Sequence, residues 1–128
     1  MLKKNFSIIT LIIIFFSNIG YVYSIEPDVF IQSTVNRAAK TLSGNFSKEE
    51  RIQKLQDIAK DTVDIRGIGF YTLGSFRKNL NDAQKLEYEK VFHKYFLKSF
   101  ASRLAEYTNP EIEVNSKKKI NENYTIVN

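Results

Sequence analysis

The chain has 128 residues, 43% of them hydrophobic, with 19 lysines and arginines against 14 aspartates and glutamates. This length suits one small domain rather than two, and the absence of cysteine excludes both a disulfide framework and a lipid-modified cysteine anchor. The mild basic excess does not suggest a nucleic-acid binder.

Lys3 and Lys4 precede an apolar run, Ile8–Phe16, interrupted only by Thr10. Val22-Tyr23-Ser24 then offers small or compact side chains at the positions a signal peptidase reads. A membrane span needs about 20 apolar residues, and Asn18 and Gly20 weaken any extension of this run. Residues 1–24 therefore read as a cleavable secretory signal, with an uncleaved anchor as the rival. Ile25–Asn128 is the working domain, placed outside the cytoplasm. Without Lys3 and Lys4 it carries 17 basic residues against 14 acidic ones.

Four helical segments follow. Pro27 suits a first helical turn, and Ile31, Val35, Ala38 and Leu42 recur as one buried face until Gly44 stops the helix. Ser47 and Glu50 form a capping box for a second helix with Ile52, Leu55, Ala59 and Thr62 on one side. Asp64 can cap a short helix over Ile65–Leu73, closed by Gly74. Asn81 and Gln84 form a second capping box, opening the longest helix, to about Tyr107. On that helix Tyr88, Val91, Phe92, Tyr95, Phe96, Ser99, Phe100 and Tyr107 share one wide side, expected to be mostly core, although so many aromatics either fill the interior or line a cavity and periodicity does not choose between these. Glu87, Lys90, Lys94 and Lys98 fall opposite.

Asn109-Pro110 breaks the helical period. Ile112 and Val114 then alternate with Glu111, Glu113 and Asn115, which predicts a half-buried strand. Residues 116–123 read as a polar turn and Tyr124–Val127 as a second strand. Two short strands do not stand alone as a sheet, so the expectation is of a domain cut in mid-sheet.

The catalytic inventory is thin. His93 is the sole histidine and lies at the boundary of the apolar side, a poor setting for a base or metal ligand. Gly67-Ile68-Gly69 lacks the third glycine of a dinucleotide fingerprint, since Thr72 stands there, and reads instead as close backbone packing. Ser75 has no nucleophile motif around it. The sequons at Asn45 and Asn123 read as chance matches. Lys90, Lys94 and Lys98, like Lys117–Lys119, read first as solvated surface and second as weak attraction to an anionic membrane.

Several segments together carry a family resemblance: Val29-Phe30-Ile31-Gln32-Ser33-Thr34-Val35, Ile58-Ala59-Lys60-Asp61-Thr62-Val63-Asp64, Leu73-Gly74-Ser75-Phe76-Arg77-Lys78, Leu80-Asn81-Asp82-Ala83-Gln84, and Phe92 through Leu104 to Glu106-Tyr107. Their order and spacing resemble the MlaC family, periplasmic phospholipid-binding components of the Mla lipid-transport system, also called toluene-tolerance or ABC-transporter auxiliary proteins. The resemblance implies an α+β fold, with N-terminal helices packed on a curved antiparallel sheet of which only the first strands are present. It implies a carrier moving phospholipid between outer and inner membranes, with acyl chains in an apolar cavity between helices and sheet. Partners implied are phospholipid, an inner-membrane Mla ABC transporter complex and an outer-membrane Mla lipoprotein complex, with transient membrane-surface contact. No cofactor, metal or nucleic acid is expected. Apolar periodicity and the family's helix-on-sheet arrangement together make Phe70, Leu73, Phe92, Phe96, Ile112 and Val114 the candidate lipid-facing walls. The competing reading is an exported helical interaction or adaptor module without a ligand. A hydrolase is disfavoured by the thin inventory.

Overall fold

The computed structural model describes residues 24–128, so the signal reading of 1–24 lies outside the described residues except at Ser24. Four α-helices run in order: α1 (Pro27–Ser43), α2 (Lys48–Thr62), α3 (Ile65–Thr72) and α4 (Asp82–Leu104), with a 3-10 turn at Gly74–Lys78 between the last two. Strands β1 (Lys117–Lys119) and β2 (Thr125–Val127) follow and pair antiparallel. The architecture is α+β, helices plus a small antiparallel sheet.

The helix starts form as their caps dictate. Glu50 N–H donates to Ser47 Oγ at 3.2 Å while Ser47 N–H donates to the Glu50 carboxylate at 2.8 Å. That bond holds the Glu50 carboxyl below the usual carboxylate range. At α4, Gln84 N–H donates to Asn81 Oδ1 at 2.9 Å and Asn81 N–H to Gln84 Oε1 at 3.0 Å. Asp64 caps α3 by accepting from Gly67 N–H at 2.9 Å. Each bond satisfies a backbone donor that the helix itself leaves orphaned. Gly74 adopts φ of 55°, the left-handed conformation that glycine takes without steric cost, and so turns the chain out of α3.

The core is built mainly where α2 crosses α4. Leu42, Leu55, Ala101 and Ala105 form one buried cluster, flanked by Ala38, Ile52 and Leu104. Ala59, Ile65 and Leu97 form a second, against which Val63, Phe92 and Phe96 pack. Of the faces expected for α1 and α2, Ala38, Leu42, Ile52, Leu55 and Ala59 join these clusters, while Ile31, Val35 and Thr62 are half-buried.

The first strand is displaced from its expected position. Ile112 and Val114 lie in irregular chain, and pairing begins later, with Lys117 opposite Val127 and Lys119 opposite Thr125. Alternation predicts a surface with one apolar side, but a strand also needs a ladder partner. Here the partner is fixed by the turn: Asn121 Oδ1 accepts from the N–H groups of Asn123 and Tyr124, at 2.9 and 3.0 Å. This Asx-type turn sets the register. Bonds between Asn115 and Asn128, and between Asn128 and Ser116, continue the pairing to the strand ends. The Lys117 ammonium then reaches Glu26 and Asp28 at 2.8 Å each, tying β1 to the start of α1.

Candidate functional site

Helix α4 carries two different faces, and the structure assigns them differently from the expectation. The seam against α2 consists of Leu97, Ala101 and Ala105, all buried, with Ala101 at 0% exposure. Small side chains at a helix crossing let the axes approach closely. Lys94 and Lys98 flank this seam and remain exposed. The wide aromatic side is core only in part: Phe92 and Phe96 pack against the second cluster while other members of this side stay open. Val91, Tyr95 and Tyr107 are more than half exposed, Phe100 is 38% exposed, and Phe92 and Phe96 are half-buried. Aromatic side chains dominate any apolar pattern by size, yet alanines make the tight contact.

The aromatics are ordered into a ladder. Residues four apart on a helix stand one above the other, and Tyr88, Phe92, Phe96 and Phe100 take that spacing. Ring centroids lie 5.8 Å apart for Tyr88–Phe92, 6.1 Å for Phe92–Phe96 and 5.4 Å for Phe96–Phe100, each pair stacked. Phe70 of α3 extends the row, 6.3 Å from Tyr88 and tilted to it. Rings at such separations attract beyond simple burial. The result is an apolar strip reaching from α3 along most of α4, with one side against the helices and the other open.

Polar bonds pin the α3 end. The Tyr88 and Thr72 hydroxyls lie 2.9 Å apart, and both reach the Gly69 carbonyl, at 3.2 and 2.7 Å. Arg66 bonds Glu89 across the same junction at 2.9 Å, and its guanidinium lies 5.5 Å from the Phe70 ring centroid. Between α3 and α4 a cavity of about 30 Å³ is lined by Ile65, Gly69, Phe70, Tyr88, Phe92 and His93, among others. It has room for little more than a water.

Of the residues expected to face acyl chains, the structure brings together Phe70, Phe92 and Phe96. Leu73 is half-buried at the end of α3. Ile112 is 47% exposed in the irregular segment. Val114 sits elsewhere, lining an open cleft of about 260 Å³ with Asp28, Val29, Gln32 and Lys117. Tyr88 and Phe100 complete the ladder but are missing from the expected walls, although the repeated spacing of four makes them findable. Gly69 and Ala101 carry no such signal, because their contribution is the side chain they lack.

The larger hollows are open and lined partly by charge, such as a cleft of about 340 Å³ bounded by Arg37, Lys40, Phe46 and Lys54. None of these hollows is a deep apolar cavity enclosing the ladder. Among the described residues, no group of three or more His, Cys, Asp or Glu could hold a metal ion, and no helix is long and apolar enough to cross a membrane.

Comparison with known proteins supplies the family. The chain is similar to the intermembrane phospholipid transport system binding protein MlaC of Haemophilus influenzae, with 25% identity over 128 residues. That alignment takes in 95% of this chain and 60% of the relative, so the chain spans about three-fifths of the relative's length. No solved structure matches. The family model described as MlaC protein matches residues 32–128, from early α1 through β2, and the chain belongs to the MlaC family.

Proposed function

We propose that this chain is the helical part of a periplasmic phospholipid carrier, and that the aromatic ladder of α4 is a wall for the acyl chains. The observation that carries the reading is the division of α4 into an alanine seam that packs and a stacked aromatic strip left partly exposed. The family and the phospholipid named for the relative point the same way. The carrier serves movement of lipid between outer and inner membranes, with Mla membrane complexes as partners. Its walls are Phe70, Leu73, Phe92 and Phe96 on the helices, with Ile112 and Val114 following α4.

Energetics say why a protein is required and why it needs no catalytic group. Each methylene exposed to water costs about 0.8 kcal/mol, so two chains of about 30 methylenes in all cost roughly 24 kcal/mol. A lipid does not cross an aqueous gap bare. A carrier has only to match the bilayer, since both bury the same chains, and apolar walls suffice for that. Binding without catalysis is the consistent role.

Residues 1–24 fit this role as a removable export signal, with 25–128 as the lipid-binding domain. A reporter fused after Ser24 should be exported and should begin at Ile25; a periplasmic product that retains residues 1–24 refutes cleavage. The carrier reading is tested by extracting the full-length periplasmic protein and measuring bound phospholipid by mass spectrometry. Near-stoichiometric lipid supports it, and an empty, well-folded protein refutes it. The openness of the strip favours one other reading, an exported adaptor whose aromatics meet a protein partner; the empty protein is the outcome that reading expects.

A further inference from the structure

We propose that Gly69 is a positioning residue for the aromatic ladder, acting through the side chain it lacks; the inference rests on the carrier reading. Gly69 is buried in α3 against α4. A Cβ placed on it would lie 2.8 Å from Phe92 Cδ1, 3.1 Å from Cγ and 3.3 Å from Cε1. The first of these is closer than real side-chain carbons approach, and the atoms met are at the root of the ring rather than at a free end. Phe92 therefore sits in the notch that glycine leaves.

The ring has few ways to yield. Tyr88 and Phe96 stack on either side of it, at 5.8 and 6.1 Å. The cavity between α3 and α4 is only about 30 Å³, too small to accept it inward. What remains is displacement outward, into the space where an acyl chain would lie. Gly69 governs a second rung as well, because its carbonyl accepts from the Tyr88 hydroxyl at 3.2 Å. One residue thus sets the depth of Phe92 through its missing carbon and the height of Tyr88 through its backbone. Helix propensity alone favours alanine over glycine within a helix, so a loss on Gly69→Ala must come from the ring it meets.

The test is a double-mutant cycle on the full-length protein, reading co-purified phospholipid by mass spectrometry and folding by circular dichroism. Gly69→Ala should stay folded and lower lipid occupancy by about tenfold, within the range for directly contacting residues. Phe92→Leu shortens the facing side chain, and in that background Gly69→Ala should change occupancy by less than about twofold. A folded Gly69→Ala with wild-type occupancy overturns the proposal, as does an equal loss in both backgrounds. If Gly69→Ala alone fails to fold, the double variant decides: recovery of folding and of the Phe92→Leu lipid level supports the notch, and a double variant that stays unfolded overturns it. A wild-type protein without lipid overturns the carrier reading before any substitution is made, and this inference with it.

Discussion

Replacing Phe96 by glutamate separates a wall from a core, and the structure now supplies the control. Phe96 is half-buried in the ladder, whereas Ala101, on the same helix, is fully buried in the seam. An aromatic side chain presents about 200 Å², and no more than about a third of Phe96 is exposed, so at least roughly 130 Å² is covered by protein and at most roughly 70 Å² stays open. At about 25 cal/mol per Å², losing the covered part costs roughly 3 kcal/mol, less than the 5–15 kcal/mol typical of a stable domain. The new carboxylate can turn to water on the open side, so Phe96→Glu should fold. Losing the open part removes at most about 1.8 kcal/mol from lipid contact, about 20-fold in affinity, and the charge adds to that. Ala101→Glu gives a carboxylate no exit and no room beside Leu55, and the domain should unfold. Circular dichroism and lipid mass spectrometry on the full-length protein read both variants. Phe96→Glu that is folded and fully loaded removes Phe96 from the site. Phe96→Glu that unfolds as Ala101→Glu does would show that the strip is core after all.

Ser47→Ala and Asn81→Ala each delete a side-chain acceptor at a helix start and should cost about 1 kcal/mol in denaturant unfolding, with lipid occupancy unchanged. Loss of lipid from either variant while it remains folded would reveal a ligand contact instead of a cap. Hydrogen bonding to Lys117 lowers the Asp28 pKa, to the Ser47 backbone that of Glu50, and to Lys60 that of Asp57. Groups with depressed folded values stabilise above their unfolded pKa, near 4, and lose that contribution as pH falls through the folded value. Bonding to Asp28 and Glu26 raises the Lys117 pKa, so its contribution holds below the unfolded value, near 10, and fades as pH climbs through the folded one. The melting temperature should therefore decline gently below about pH 4, less so in Lys117→Gln. A rise on acidification would contradict the signs assigned here.

The helix starts were legible because a cap is a local event. Ser47, Asp64 and Asn81 announce themselves by chemistry at fixed spacing, and the bonds they make need no distant partner. The face of α4 that packs was not legible, because an apolar pattern reports where large side chains lie and not which neighbour arrives. Ala101 and Ala105 weigh little in such a pattern, yet small size is what a close helix crossing needs. The strand shift has a related cause. Ile112 and Val114 have the right alternation, but pairing follows the turn at Asn121 and the anchoring of Lys117 to α1, and neither depends on alternation. Phe92 and Phe96 meet through their spacing of four, but Phe70 joins the row because the short helix α3 lies along the start of α4, a tertiary fact that spacing within α4 could not contain.

If the proposed lipid reading holds, packing through alanine and binding through aromatics are parts of one solution. An apolar ring buried in the native core contributes its transfer free energy to folding and has nothing left for a ligand. The part of a ring left exposed in both the folded and unfolded states neither stabilises nor destabilises the fold, so on the proposed reading its contact free energy stays available to an acyl chain. Had the four stacked rings been fully buried against the other helices, the helices would have held together more strongly and the strip would have had no surface to offer. The alanine seam gives up some of that cohesion. In exchange α4 presents a rigid, stacked apolar strip whose side chains are already ordered against one another, so less rotamer freedom remains to be lost on binding. The same openness makes the strip adhesive to any apolar surface. A carrier of this kind should be most soluble when its strip is covered, with lipid bound.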